Sequence, residues 1–238
     1  MISKAPNVYM YISAMAVAGM LVGGVAAELV DWITKSTTAS EVNDQYPNTL
    51  SADRSKTVML ACARWPIMSA MVVAFILGGW TYEPGWKLGL GMVFCSVLVV
   101  LAFIDVRTRL LPDIITLPFM WLGLLINTFD IWTSCAAAIW GAAIGYLLLW
   151  LVHHGFRLVS GKNGMGYGDF KLLSAVGAWL GVYVIPMVML VACLLGIAIA
   201  LTTRVAGRGQ SDQALPFGPA LAGASIMAMI WPDCWLLS

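Results

Sequence analysis

The sequence predicts an all-α, polytopic integral membrane protein of about eight transmembrane helices, with both termini outside. Three observations carry that prediction. Hydrophobic residues make up 61% of the 238 and charged residues 11%, whereas a soluble domain carries roughly a quarter charged residues. Apolar stretches long enough to cross about 30 Å of hydrocarbon recur along the whole chain. The basic residues between them fall mostly on one side, which sets the orientation.

Taken in order, the apolar segments are 8–30, 58–82, 86–104, 114–132, 135–153, 170–181, 183–203 and 215–236. The first ends in Glu28 and Asp31 and not at a small-residue cleavage site, so it reads as a retained helix. A polar stretch over 34–57, rich in Ser, Thr, Asn and Asp, reads as a flexible or lightly folded cytoplasmic loop within one membrane-embedded domain spanning 1–238. The sixth segment is short for a crossing, and Gly181 and Pro186 mark the break after it. If segments six and seven were one bent element, seven helices would remain. Ten Lys and Arg residues, among them Arg107, Arg109, Arg157, Lys162 and Arg204, face one side, and Lys4 and Lys87 face the other. That asymmetry puts the 105–112, 154–169 and 204–214 loops in the cytoplasm.

Composition also narrows the partners. A formal net charge of +1 gives no case for nucleic acid, and membrane lipid is the expected surroundings. Cys62, Cys95, Cys135, Cys193 and Cys234 are dispersed and form no Cys-x-x-Cys. A structural metal needs clustered ligands, so none is expected, and lone apolar thiols are favoured over a disulfide.

Against this background Asp105 and Asp169 stand at the membrane edges. One lies in Phe103-Ile104-Asp105-Val106-Arg107-Thr108-Arg109-Leu110-Leu111-Pro112-Asp113, the other in Gly164-Met165-Gly166-Tyr167-Gly168-Asp169-Phe170-Lys171. A carboxylate beside lipid is costly to keep charged, which points to chemistry, ion movement or a specific partner. The stretch between them fits an outward helix, a turn near 131–134 and a return helix, so both aspartates fall at the cytoplasmic boundary. Two such carboxyls cannot easily both ionise; one polarises a water while the other stays protonated, and the pair titrates as a unit. That is the equipment of an intramembrane aspartyl protease, which hydrolyses a peptide bond without metal or cofactor.

The neighbours are supporting candidates. Gly164, Gly166 and Gly168 let the backbone turn sharply and let a substrate strand approach. Taken alone, Asp169 is better explained as an N-cap of the sixth helix; paired with Asp105 in the matching topological position, the catalytic reading prevails. Asp113, after Pro112, reads as the N-cap of the fourth helix with a supporting role, as does Lys171. Arg107 and Arg109 are expected to be solvated or to touch lipid phosphate.

These motifs resemble the type IV prepilin peptidase family, the bacterial leader peptidases and N-methyltransferases that process prepilins and type II secretion pseudopilins. Ile104-Asp105 through Leu111-Pro112-Asp113-Ile114-Ile115-Thr116-Leu117-Pro118 matches the first motif of that family. Gly164-Met165-Gly166-Tyr167-Gly168-Asp169-Phe170-Lys171, continuing to Gly181, matches its Gly-x-Gly-Asp motif, and Leu215-Pro216-Phe217-Gly218-Pro219 matches a third. The resemblance covers roughly 90–235. It implies that Asp105 and Asp169 are the catalytic pair and that the substrate is a prepilin or pseudopilin with a short basic leader, cut after a glycine at the cytoplasmic face. It also implies residence in the bacterial cytoplasmic (inner) membrane, in service of a type IV pilus or a type II secretion system. S-adenosylmethionine is implied if the new N-terminus is methylated. The chain departs from the pattern in its 34–57 loop, which lacks the two Cys-x-x-Cys pairs that bind zinc in many members, and so is similar to the shorter members.

Other polar residues have competing explanations. Glu28 and Arg64 could pair between helices and hold the basic leader or the cofactor, or else snorkel to the interface. Pro216 and Gly218, at the mouth of the last helix, are candidates for bordering the substrate strand, against a plain helix start. His153 and His154 suit a helix C-terminus. Most of the eleven tryptophans, Trp80, Trp86, Trp132, Trp231 and Trp235 among them, read as an interfacial belt. Gly141, Ala142 and Gly145 read as a close helix contact. Two other functions compete with this one. A presenilin or signal-peptide-peptidase-like protease also carries Gly-x-Gly-Asp, but sets its first aspartate in Tyr-Asp. An ion-coupled transporter would place its acids near the bilayer midplane.

Overall fold

The computed structural model describes residues 5–45, 64–160, 166–205 and 217–231. Eight α-helices account for nearly all of them: α1 Ala5–Gln45, α2 Arg64–Thr81, α3 Trp86–Thr108, α4 Asp113–Asn127, α5 Cys135–Ser160, α6 Tyr167–Leu180, α7 Ile185–Val205 and α8 Gly218–Ile230. Each coincides with one of the eight apolar segments, and no strand occurs among the described residues. Length and composition single out four stretches able to cross a membrane, Met10–Thr34, Trp86–Thr108, Cys135–Leu158 and Val182–Thr202. α2, α4 and α8 are shorter apolar helices.

Three boundaries differ from the expectation. α1 runs on to Gln45, so the start of the polar 34–57 stretch is helical; no Gly or Pro interrupts it before Pro47. The rest of that stretch lies outside the described residues. α4 stops at Asn127 and not at 132, because the Asn127 side chain takes over the hydrogen bonding of the turn. Its carbonyl oxygen accepts from the backbone N–H of Trp132 (3.1 Å) and Thr133 (3.3 Å), while its amide donates to the carbonyls of Ala178 (2.8 Å) and Trp179 (2.9 Å). α5 continues past 153 to Ser160. Segments six and seven are separate: Gly181, at φ +87°, ends α6, a 3-10 turn over Val182–Val184 follows, and Pro186 sits in the first turn of α7.

The chain packs as two units, Met1–Thr108 and Arg109–Ser238. In the first, α1 and α2 lie along each other and α3 packs on both. Close approach of α1 and α2 requires glycine: a Cβ at Gly19 would stand 2.8 Å from Val72 Cα, and one at Gly23 2.8 Å from Met68 Cα. In the second unit α6 is the centre, flanked by α5 and α4 and touching α8. From Asp169 through Trp179 all of its residues but Lys171 are buried. That explains the short sixth segment, since a helix apolar on every face belongs inside a protein, where lipid thickness sets no length.

Contacts around α6 are tight. A Cβ at Gly141 on α5 would run into the Gly177 carbonyl, and one at Gly145 would lie 2.7 Å from the Leu173 carbonyl oxygen. Trp179 is fully buried, not part of an interfacial belt; its Nε1 donates to the Phe119 carbonyl (2.8 Å) and its ring stacks on Phe119 at 5.1 Å. Trp80 and Trp86, by contrast, are exposed.

Candidate active site

Asp105 lies in the last turn of α3, in the first unit, and is 5% exposed. Its helix is apolar from Val97 through Ile104, and the chain leaves it through Arg109, whose positive φ of 55° breaks the helical path. Two positions beyond Asp105, Arg107 donates to Asp31 of α1 at 2.5 Å, both side chains 13% exposed. This corrects the expectation that Arg107 is solvated or touches lipid phosphate. A guanidinium buried to this degree needs a carboxylate, and α1 supplies one. Glu28, one turn earlier on α1, is exposed, and the Arg64 side chain lies outside the described residues.

Asp169 lies in the first turn of α6, in the second unit, and is 6% exposed. Gly166 is the N-cap, in extended conformation and without a side-chain cap, so Asp169 is the third helical residue and not the cap. Its Oδ2 folds back to within 3.9 Å of where a Gly166 Cβ would sit. Gly168 is required by space: its Cβ would stand 2.7 Å from Leu111 Cβ. Free N–H groups at this end of a helix favour a negative charge, and the carbonyl end, where Asp105 sits on α3, does not. The two carboxyls occupy opposite helix poles.

Lys171 and Asp113, both read as supporting residues, meet. Lys171 Nζ donates to both Asp113 oxygens at 2.6 Å, tying the start of α4 to the first turns of α6. Asp113 is therefore not the N-cap of α4; Pro112 holds that position, and the Asp113 carboxylate faces the lysine. Gly218 is buried and begins α8, with Pro219 in its first turn. Pro216 and Gly164 lie outside the described residues.

Sequence reading missed the partnership of Asp31, whose signal was an acid in a long apolar helix. It also missed Asn127, a polar residue fully buried at the end of an apolar run.

Residues 92–201, which hold both aspartates, match the type IV leader peptidase family. A prepilin leader peptidase/N-methyltransferase from Stutzerimonas stutzeri is 36% identical over 209 residues, 86% of this chain and 66% of that protein. The chain belongs to the type IV leader peptidase family. Proteins of the same description from Dickeya chrysanthemi and Pseudomonas aeruginosa are 43% and 38% identical over 70% and 71% of the chain. The chain spans 59–66% of the length of these relatives. No solved structure matches it significantly. Within the family-matched stretch, Asp105 and Asp169 are the two acids buried in helices; Asp113 is exposed, and Asp130 stands in the turn between α4 and α5.

Proposed function

We propose that this chain is an intramembrane aspartyl endopeptidase of the bacterial cytoplasmic membrane. It removes the short basic leader of type IV prepilins or type II secretion pseudopilins after a glycine, at the cytoplasmic membrane face. The observation that supports this most is a pair of carboxyls, 5% and 6% exposed, each at a helix end inside the stretch that matches the peptidase family. Asp105 and Asp169 form the catalytic pair, a reading supported by their two motifs and by the charge bias that assigns both loops to the cytoplasmic side.

The helix poles divide the work. Asp169, at the N-terminal pole of α6, is the carboxylate that takes a proton from water as the water oxygen attacks the scissile carbonyl carbon. Asp105 gives its proton to the carbonyl oxygen, so the tetrahedral intermediate is a neutral gem-diol. Collapse then breaks the C–N bond, with the proton held by Asp169 passing to the leaving amine and a hydroxyl proton returning to Asp105. Lys171 and Asp113 hold the turn that carries Asp169. Glu28, exposed on α1, attracts the basic leader, and the Pro216–Gly218 segment borders the substrate strand.

S-adenosylmethionine is the donor that an N-methyltransferase of the relatives' description would use. Such a ligand needs a groove where glycine lets backbone approach it. Among the described residues, the tight glycines face protein atoms instead: Gly19 faces Val72, Gly23 Met68, Gly123 Trp179, Gly141 Gly177 and Gly168 Leu111. Gly24, Gly89 and Gly155 have nothing within 4 Å of the Cβ position, and methylation is read from the product mass in the experiment below.

The test is co-expression of a prepilin with wild type, Asp105→Asn and Asp169→Asn, with the product N-terminus read by mass spectrometry. Both variants should remain in the membrane and lose cleavage. A variant that cuts at the wild-type rate overturns the pair, and the product mass reports methylation directly.

A further inference from the structure

We propose that His153 is a positioning residue for Asp169, acting through an internal water held between its imidazole and the first turn of α6. The inference rests on the peptidase reading above. His153 lies on α5 and is 2% exposed. Neither of its ring nitrogens meets a hydrogen-bonding partner among the described residues. Its neighbour His154 differs, with Nδ1 2.9 Å from the Trp150 carbonyl oxygen. A neutral imidazole carries one N–H and one lone pair, and burying both unmet is unfavourable where lipid offers no replacement for water.

Position says where the partner must lie. The His153 ring is 5.3 Å from the Tyr167 ring and 5.5 Å from the Phe170 ring, the first and fourth residues of α6. Side chains on a helix lean toward its N-terminus, so the imidazole lies beside the N–H groups of that first turn. The Asp169 N–H already donates to the Gly166 carbonyl (3.3 Å), and Gly166 brings no side chain to cap the Tyr167 and Gly168 N–H groups ahead of it. A water that accepts from the Tyr167 or Gly168 N–H and donates to the imidazole lone pair satisfies a buried ring nitrogen and an uncapped helix end at once.

The consequence falls on Asp169, whose carboxylate folds back over this same turn. Lys171 anchors the turn to Asp113 of α4, and His153 anchors it to α5, so the carboxylate is fixed from two flanking helices.

Two measurements test this on the full chain in lipid bilayers. The sequence contains two histidines, so ¹⁵N-histidine labelling gives two imidazoles, and His154→Gln assigns them. The lone-pair nitrogen of His153 should show a hydrogen-bonded shift with magnetisation transfer from water. A free-imine shift, or a hydrogen bond without water transfer, overturns the water. For the positioning role, His153→Phe should lower kcat for leader cleavage between about ten- and a hundred-fold with KM unchanged, and His153→Gln should recover most of it. Wild-type kcat in His153→Phe overturns the role, as does an equal loss in both variants, because a bare packing requirement would not separate them. A wild-type protein that cleaves no prepilin refutes the peptidase reading and the positioning role with it, while the resonance result still decides the water.

Discussion

Lys171 reaches across from α6 to hold both carboxylate oxygens of Asp113, two residues past the buried Asp169. The pair is 31% and 55% exposed, so solvent screens it and its stability contribution is small, about 0.2–1 kcal/mol. Its effect on orientation is larger, because the first turns of α6 have no side-chain cap. Lys171→Met and Asp113→Asn should each shift the unfolding midpoint little and reduce cleavage several-fold. The exchange of the two charges, Asp113→Lys with Lys171→Asp, should restore part of the rate. A rate unchanged by both single substitutions would remove the pair from the positioning of Asp169.

Asn127 makes four hydrogen bonds from a fully buried site, linking the end of α4, the α4–α5 turn and the end of α6. Asn127→Ala removes the four hydrogen bonds to the Ala178 and Trp179 carbonyls and the Trp132 and Thr133 N–H groups, which should destabilise by about 3 kcal/mol or more. Asn127→Asp keeps the acceptor but points carboxylate at two carbonyls, and should be no better. Reversible unfolding in mixed micelles measures both, with hydrogen exchange over 128–134 reporting whether the turn opens first.

Much of this was legible in the sequence because apolar length and motif spacing are local signals. The helices among the described residues, the Gly181 break and the Gly141–Gly145 contact were readable from residue types alone. What escaped were pairings set by tertiary contact. Arg107 looked solvent-facing because nothing near it in sequence shows that α1 brings Asp31 to it. Asp113 looked like a cap because the lysine that binds it comes from 58 positions away. The end of α4 escaped because the apolar pattern continues through Phe129 and Ile131, whereas Asn127 finds its partners on α6.

Gly141 and Gly177 face each other across α5 and α6, where a Cβ on either would strike the backbone of the other. Backbone cannot swing aside as a side chain can, so Gly141→Ala or Gly177→Ala should cost about 1–3 kcal/mol through overpacking. Gly24, with nothing within 4 Å of its Cβ position, is the control. Gly24→Ala should be neutral or slightly stabilising, since alanine is the better helix former. Unfolding curves for the three variants separate contact from propensity; equal effects at all three sites would contradict the packing argument.

The Asp31–Arg107 pair is the buried counterpart of the Lys171–Asp113 pair and should behave in the opposite way. Both side chains are 13% exposed and 2.5 Å apart. Removing one partner strands the other charge away from water, so Asp31→Ala or Arg107→Leu should each destabilise by about 3–5 kcal/mol. Replacing both with apolar residues of similar size removes the stranded charge as well, and the double variant should be more stable than either single. The sum of the single losses should exceed the loss in the double, a coupling that a double-mutant cycle reads directly. Additive losses would mean that the two side chains act independently. In that case the last turn of α3, and Asp105 within it, would be held by contacts other than this pair.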